Sequence, residues 1–264
     1  MEKLATEIRE MLEDQGMDVV GIAPAADWPS PQPECRPPAI LKDCQRVIVF
    51  GKEIPAPIYQ AELHALDLYA MTSHNFYHQL DAAAIAAAGR LTRAGYPSIP
   101  IGGYQPVLMR EGDYWGVVSL KHAAVRAGLG TMGKNTLLIN ERFGNRLRLG
   151  GVLTTAALPA GRPLAKSLCY ENCTKCVRNC PVQALDGKGG INQHKCLKNC
   201  AVHPALSLSF ISRWFRHSKR VNRQVELFTR TMISTYTYSC CTCLTSCPSF
   251  KLGAGGSPGG KKDK

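Results

Sequence analysis

The sequence CYENCTKCVRNCP occupies residues 169–181, and the related sequence CCTCLTSCP occupies residues 240–248. Both end in the pattern C-x2-C-x3-C-P, and ten of the twelve cysteines of the chain lie between Cys169 and Cys247. Cysteines spaced in this way are better explained as metal ligands than as disulfides, because residues 1–20 lack the apolar run of an export signal and reducing compartments keep thiols free. The C-terminal third is therefore predicted to be organised by metal–thiolate bonds.

The two runs have the form found in bacterial ferredoxins that carry two [4Fe-4S] clusters. In that form the closely spaced cysteines bind one cluster, while the last cysteine of each run ligates the other cluster. The spacing therefore predicts a crossed arrangement of the two runs. The first cluster is assigned Cys169, Cys173, Cys176 and Cys247, and the second cluster is assigned Cys180, Cys196, Cys240 and Cys243.

Several alternatives remain open at the cysteines. The first gap holds three residues, 170–172, where the usual run has two, so the loop is expected to bulge there. Cys200 and Cys241 lie close to assigned ligands and could replace them, and Cys240 is preferred to Cys241 on spacing alone. A pair of zinc sites is the alternative metal assignment, since short cysteine hooks also bind zinc. Cys35 and Cys44 are isolated in sequence and are interpreted as buried or incidental thiols.

The remainder of the chain alternates between helical and strand-like segments. Residues 4–12 and 61–94 have helical periodicity, and a short alanine-rich helix is predicted over 120–127. Strands are predicted at 19–23, 46–51, 99–101, 137–139 and 149–155. The predicted organisation is a module over 1–160, a double-cluster domain over 161–252 and a disordered Gly- and Lys-rich tail over 253–264.

Charge and hydropathy limit the partners. Lysine and arginine exceed acidic residues by 32 to 20, a formal charge of +12 that favours a polyanionic partner, although cluster thiolates would offset part of it. The stretch 213–223 interleaves Arg213, Arg216, Lys219, Arg220 and Arg223 with Trp214 and Phe215. That pattern suits phosphate contacts and base stacking, and an exposed amphipathic helix face is the alternative. No segment is long and apolar enough to predict a membrane span, so a cytoplasmic location is expected.

A glycine-rich loop precedes the cysteines. Gly128, Gly130 and Gly133 followed by Lys134 read G-x-G-x-x-G-K, which superficially matches a dinucleotide-binding fingerprint. That fingerprint lies between a strand and a helix, whereas here a helical segment precedes the loop and a strand-like one follows. Two interpretations stay open, a loop whose free amides meet a bulky ligand and a tight helix-to-strand turn.

The segment AGLGTMGKNTLLIN, residues 127–140, followed by two ferredoxin-type cysteine runs, resembles the epoxyqueuosine reductase family and the related reductive dehalogenases. YHQL at 77–80 also resembles a helix of that family. The resemblance implies an α+β protein, with an N-terminal α/β module of the nitroreductase or cobalamin-processing kind and a ferredoxin-like double-cluster domain. It further implies a base-off cobalamin between the two parts, reduced by the clusters and lined by Gly128, Gly130, Gly133, Lys134 and Asn135. The C-terminal helical-repeat region of the family is not found in the chain.

The proton donor of the family is not matched. The resemblance implies an Asp in a D-[ST]-x-P-x-x-E-R stretch, but this chain has Tyr114 at that position with Asp113 beside it, and VVSLKHAA stands where P-x-x-E-R is expected. Tyr114, Asp113 and His122 are therefore the candidate acids, since a reduction at carbon needs a proton as well as electrons. Each has an ordinary alternative, namely core packing, a turn residue and a histidine bonded to backbone.

Taken together, these features predict a reductase that passes electrons from two [4Fe-4S] clusters to cobalamin and then to an unidentified substrate. The alternative is a non-catalytic electron carrier or a reductive activator of a corrinoid protein. A flavin in the N-terminal module stays open as a third alternative, because no residue pattern excludes it. The expected partners are a low-potential electron donor and either a tRNA or a small-molecule substrate, with no membrane involved.

Overall fold

A computed structural model describes residues 1–104, 107–110, 113–202, 237–238 and 240–250 of the 264-residue chain. The helices are α1 (Glu2–Asp14), α2 (Pro37–Ile40), α3 (Ala65–Arg93), α4 (Leu120–Arg126), α5 (Lys175–Arg178), α6 (Gln193–Cys200) and α7 (Thr242–Thr245). The strands are β1 (Val19–Pro24), β2 (Arg46–Glu53), β3 (Ser98–Ile101), β4 (Val107–Arg110), β5 (Asp113–Gly116), β6 (Thr131–Met132), β7 (Leu138–Ile139), β8 (Leu147–Thr154), β9 (Ala201–Val202) and β10 (Thr237–Tyr238). Two short 3-10 helices occur at Pro33–Cys35 and Ala56–Gln60.

The central sheet has four strands in the order β1-β2-β8-β3, and each neighbouring pair is antiparallel. These are the strands predicted at 19–23, 46–51, 149–155 and 99–101. Their alternation with helices does not give the parallel sheet of an α/β unit, because β8 comes from far along the chain and inserts between β2 and β3. The N-terminal module is therefore mixed α and β, and it is built on an antiparallel sheet.

The sheet is buried on both faces. Ile48 and Phe50 on β2 pack into a core that includes residues of α1 and α3, whereas Val47 and Val49 face the opposite way and pack into a core that includes α4. This alternation follows from the two-residue period of a strand. Helix α3 approaches the sheet closely because its buried face carries alanines, among them Ala84 and Ala87, which are fully buried.

Three smaller features connect the N-terminal module to the cysteine region. The predicted helix over 120–127 is α4, and the glycine loop connects it to the β6–β7 hairpin. No helix or strand is described between Thr154 and Lys175, and the predicted boundary at 160 falls in this stretch. This stretch still contacts the sheet, because the Gly161 amide donates to the carbonyl of Ile22 on β1 over 2.8 Å. Within the predicted double-cluster domain the structure describes residues 161–202, 237–238 and 240–250, whereas 253–264 lies outside the described residues.

None of the helices in the described ranges has the combination of length and apolar character that crossing a bilayer requires.

Candidate functional site

Four cysteines from the two runs line one small cavity. They are the four assigned to the first cluster, Cys169, Cys173, Cys176 and Cys247. Burial first, and then the neighbouring thiols of Cys247 and Cys169, raises the pKa of Cys176. Burial likewise raises the pKa of Cys247, while hydrogen bonds from Ser249 act against that rise. The structure thus brings Cys247 to the first run despite a large separation in sequence, as the crossed spacing predicts.

The cysteines assigned to the second cluster also lie near one another. Burial is the main cause that raises the pKa of Cys243 to about 12, followed by the nearby thiols of Cys196, Cys240, Cys176 and Cys180. The pKa of a thiol responds in this way to other thiols only when they lie within electrostatic range in a poorly solvated environment. Cys243 therefore lies near Cys180, Cys196 and Cys240, the other cysteines assigned to the second cluster, and also near Cys176 of the first.

Cys200 belongs to the same neighbourhood, and it keeps the alternative ligand assignment open. A hydrogen bond with Cys200 lowers the pKa of Cys196 and raises that of Cys200, and the Cys200 thiol lies 3.4 Å from the Cys240 carbonyl oxygen. Cys241 immediately precedes α7, and burial raises its pKa. Within the described ranges, no three His, Cys, Asp or Glu side chains are arranged as for a single metal ion.

The two isolated cysteines are core residues. Cys35 is 2% exposed and Cys44 is 7% exposed, and the Cys44 thiol lies 3.5 Å from the Arg46 carbonyl oxygen. They lie in the N-terminal module, away in sequence from both cysteine runs. Their burial agrees with the interpretation of each as a packed thiol.

The glycine loop packs tightly against the protein itself. A Cβ at Gly130 would lie 2.1 Å from the Ile139 carbonyl oxygen, and one at Gly128 would lie 2.5 Å from the Arg162 carbonyl oxygen. Gly128 also has a φ of +79°, a conformation that side chains rarely adopt. The Gly133 amide donates to the Leu137 carbonyl over 2.8 Å. These contacts favour the tight helix-to-strand turn, because at these positions the protein supplies the close neighbours.

The polar end of the loop contacts the cysteine runs. The Lys134 ammonium donates to the carbonyls of Glu171 and Cys173, the latter over 3.1 Å, in the gap between the first cysteines. The Asn135 side chain is 3% exposed and donates its amide to the Cys243 carbonyl over 3.0 Å. Lys134 and Asn135 therefore join the N-terminal module to both cysteine runs.

Two of the three candidate acids are adjacent, and the third is on another element. Asp113 and Tyr114 begin β5, where the Tyr114 backbone exchanges hydrogen bonds of 2.8 and 3.1 Å with the Gln193 side chain of α6. Asp113 lies 3.8 Å from the imidazole of His194, which also stacks obliquely near the Tyr114 ring. The Asp113–Tyr114 pair therefore lies where the N-terminal module meets the cysteine region.

His122 is in α4 and has a local partner. Its Nδ1 lies 2.7 Å from the hydroxyl of Ser119, the residue that caps α4. Burial, and then the charge of Lys121, lowers the pKa of His122 below its ordinary value. A side chain with a depressed pKa holds its proton less readily, which weakens the case for His122 as a proton donor at neutral pH.

A buried polar cluster that the sequence reasoning missed lies beside the second cysteine run. Arg146 is fully buried, and its guanidinium lies 5.6 Å from the ring centre of Phe250. Tyr59 meets the same ring edge to face, with ring centres 5.3 Å apart, and its ring is tilted against that of Tyr69, with centres 5.1 Å apart. Arg148 lies 5.1 Å from the Tyr69 ring and hydrogen-bonds to its hydroxyl. The available signal was the alternation RLRL at 146–149, which places two arginines on one face of a strand.

Some donors of this cluster have no acceptor among the described residues. Within that part of the chain, the Nε and Nη2 atoms of Arg146 and the Tyr59 hydroxyl are buried without a hydrogen-bond partner. Arg146 does have a charge partner, because Nη1 contacts the Glu53 carboxylate and donates to the Ile54 carbonyl over 3.0 Å. Unsatisfied buried donors are uncommon and call for an acceptor-rich group beside them. The basic stretch 213–223 lies outside the described residues.

Comparison with known proteins identifies similar chains. No protein-family model matches. The chain is 40% identical over 82 residues to an epoxyqueuosine reductase of Staphylococcus aureus, covering 31% of this chain and 21% of that protein. It is 29% identical over 136 residues to that of Bacillus cereus, covering 52% of this chain and 30% of the relative. The chain resembles epoxyqueuosine reductases. The matched segments span about a fifth to a third of these curated relatives.

Solved structures of that kind share the fold. An epoxyqueuosine reductase from Bacillus subtilis superposes with a TM-score of 0.60 at 17% identity, covering 94% of this chain and 66% of that chain. An epoxyqueuosine reductase solved with an epoxyqueuosine-modified tRNA-Tyr stem loop gives a TM-score of 0.59 at 18% identity, with coverages of 94% and 65%. A reductive dehalogenase structure described as bearing on B12-dependent dehalogenation gives 0.58 at 16% identity, with coverages of 87% and 36%. The predicted resemblance to both groups of proteins is confirmed, and the mixed α and β fold is theirs.

Proposed function

We propose that this chain is an oxidoreductase in which two [4Fe-4S] clusters pass electrons to a cobalamin that reduces a substrate. The observation that carries the proposal is the meeting of the two cysteine runs, in which Cys247 joins Cys169, Cys173 and Cys176 around one cavity. Similarity to epoxyqueuosine reductases in sequence, and to these enzymes and reductive dehalogenases in fold, supports the same activity class.

The cluster ligands proposed are those of the crossed assignment. Thiolates, rather than thiols, bind iron, so ligation would remove the protons that burial now favours on Cys176, Cys243 and Cys247. Cys200 stays an alternative to Cys196 or Cys240 because it hydrogen-bonds with the Cys196 thiol and lies 3.4 Å from the Cys240 carbonyl oxygen. The eight cysteines share one environment. This favours two clusters over zinc sites formed by separate cysteine hooks.

A cobalamin suits the buried polar cluster beside the cysteines. The donors of Arg146 and Tyr59 that have no partner among the described residues match a ligand that carries many amide carbonyls and a phosphate. When bound, a cobalamin supplies low-potential reduction at its cobalt. Loop residues Gly128, Gly130, Gly133, Lys134 and Asn135 remain proposed neighbours of this cofactor, although their contacts shown here are to the protein. A flavin remains the competing cofactor.

For the proton, we favour Tyr114 and Asp113 over His122. The first two lie on β5 against α6, beside His194, at the junction of the N-terminal module and the cysteine region. A phenol or carboxyl there would deliver a proton to a substrate held between the two parts. His122 is bonded to Ser119 and has a lowered pKa, so its proposed role is weaker.

The substrate class is proposed from the relatives and from charge. One similar structure contains a tRNA stem loop, and this chain carries a formal charge of +12. Both facts favour a tRNA substrate over a small molecule, with a low-potential protein as electron donor. A cytoplasmic site of action accords with both partners.

The test is anaerobic reconstitution with iron, sulfide and hydroxocobalamin, followed by metal analysis and EPR. The expected content is about eight irons and one cobalt per chain, and Cys169→Ser should reduce the iron content to about four. Cys35→Ser is the matched control and should keep about eight irons, because Cys35 is a core thiol.

Other outcomes of this experiment separate the alternatives. Full iron content without bound corrinoid would replace the reductase proposal by an electron carrier or reductive activator. Stoichiometric flavin would identify the competing cofactor, and zinc in place of iron would overturn the cluster assignment.

A further inference from the structure

The extra residue in the first cysteine run has a specific partner. The gap at 170–172 is one residue longer than in the usual run, and the carbonyls of this loop point to Lys134. The Lys134 ammonium accepts no hydrogen bond and can donate three, and it lies within bonding distance of the carbonyls of Tyr170, Glu171 and Cys173. One side chain therefore fixes most of the loop that joins the first two ligands.

Lys134 also lies beside the ligands themselves. It lines the same cavity as Cys169, Cys173, Cys176 and Cys247. Among the described residues that line this cavity, it is the one cation, and none is a carboxylate. The adjacent residue Asn135 lines the cavity as well, and its amide is directed to the second run at Cys243.

A fixed cation next to a cluster affects its redox equilibrium in a definite direction. Reduction adds one negative charge to a cluster that already carries four thiolates, so a nearby ammonium stabilises the reduced form more than the oxidised form. The interaction is strengthened where the cavity is partly shielded from solvent. A cation here should therefore raise the reduction potential of the first cluster.

We propose that Lys134 is a positioning residue that holds the first cysteine loop through its carbonyls and raises the reduction potential of the cluster on Cys169, Cys173, Cys176 and Cys247. This inference rests on the proposed function, because it requires that cluster to form. It gives the loop that follows Gly133 a role at the cluster, and it makes the first cluster easier to reduce than it would be without Lys134.

The test compares three substitutions at Lys134 in the reconstituted full chain. Lys134→Gln removes the charge but keeps a donor for the loop carbonyls, Lys134→Met removes both, and Lys134→Arg keeps both. Lys52→Met is the charge-matched control, because Lys52 donates to the Gly16 carbonyl and lies over Phe76 in the N-terminal module. Iron and sulfide are measured first, and EPR-monitored redox titrations follow, with Cys169→Ser used to identify the signal of the first cluster.

The expected result is that Lys134→Gln keeps full iron content and lowers the equilibrium constant for reduction of the first cluster at least tenfold, which is about 59 mV for one electron. The equilibrium constant for reduction of the second cluster in Lys134→Gln should change by less than about threefold, which corresponds to half that shift. The same limit holds for the first cluster in Lys134→Arg and in Lys52→Met. Loss of first-cluster iron from both neutral variants, with retention in Lys134→Arg, would also support the proposal, because the charge would then be what holds the loop.

Three results would overturn it. The first is unchanged potentials in fully loaded Lys134→Gln and Lys134→Met. The second is an equal shift in Lys52→Met, and the third is loss of iron from all three Lys134 variants alike. A parent chain that binds no iron would refute the proposed function instead, and the two failures are thus distinguished by the first measurement.

Discussion

Replacing Glu53 by glutamine removes the charge partner of a fully buried arginine. The Arg146 side chain is 1% exposed and the Glu53 side chain is 24% exposed, and the two are in direct contact. Removing one member of a buried ion pair costs about 3–5 kcal/mol, because the other charge stays desolvated and uncompensated. Since Glu53 retains some solvent contact, we expect Glu53→Gln to lower the free energy of unfolding by about 3 kcal/mol, at the low end of that range.

The same chain offers a matched control. Arg90 and Glu7 form a two-bond pair with distances of 2.5 and 2.9 Å, but their side chains are 34% and 43% exposed. Exposed pairs contribute about 0.2–1 kcal/mol, so Glu7→Gln should lower the free energy of unfolding by less than about 1 kcal/mol. The hydrogen-bond geometry of the exposed pair is at least as good as that of the buried pair. Burial is therefore the property that distinguishes the two ion pairs.

The assay is anaerobic urea unfolding of the reconstituted protein, monitored by far-UV circular dichroism. With a slope of about 3 kcal/mol per molar urea for a chain of this size, the midpoint should fall by about 1 M for Glu53→Gln and by about 0.3 M or less for Glu7→Gln. The slope itself should not change between variants. Equal midpoint shifts for the two variants would refute the reasoning, because burial would then not determine the cost.

Three further outcomes are expected. Gly130→Ala should lower the urea midpoint by about 1 M, because its Cβ would lie 2.1 Å from a carbonyl oxygen of β7, whereas Gly89→Ala in α3 should leave it unchanged or raise it slightly. Burial lowers the pKa of His122, so the unfolded chain binds more protons than the folded chain below pH 6.5, and the free energy of unfolding should fall as pH drops from about 7.5 to about 5.5. For His122→Gln this free energy should fall less over the same range. Equal losses in the two proteins would contradict the lowered pKa of His122. Asn135→Leu should leave the buried Cys243 carbonyl unpaired, with a cost of about 1–3 kcal/mol and faster iron loss to a chelator, and unchanged loss would argue against the contact.

Most helices and strands of the N-terminal module were predictable from local pattern. The apolar period of α1 and the β-branched run 46–51 each match one element of the structure. The pairing of strands was not predictable in the same way, because antiparallel and parallel neighbours have similar local sequences and the choice depends on where β8 inserts. Element identity is a local property, whereas strand order is a property of the whole chain.

The candidate site likewise has features that local sequence predicts and features that it does not. Cysteine spacing predicted that Cys247 would join the first run, and the cavity shared by these thiols agrees with it. The choice among Cys196, Cys200 and Cys240 stays open, because neighbouring thiols in a short segment are equivalent in spacing. The glycines left both a ligand loop and a tight turn open, and their close neighbours are carbonyl oxygens of Arg162 and Ile139, contacts that spacing alone does not reveal.

By itself, the sequence predicted the metal–thiolate chemistry, because ligand type and spacing can be read from residues close together in the chain. Only the tertiary structure decided what surrounds that chemistry. It placed Lys134 on the carbonyls of the first cysteine loop and buried Arg146 against Glu53 and Phe250. Such contacts join residues far apart in sequence, and their strength comes from the exclusion of water, which exists only once the chain has folded.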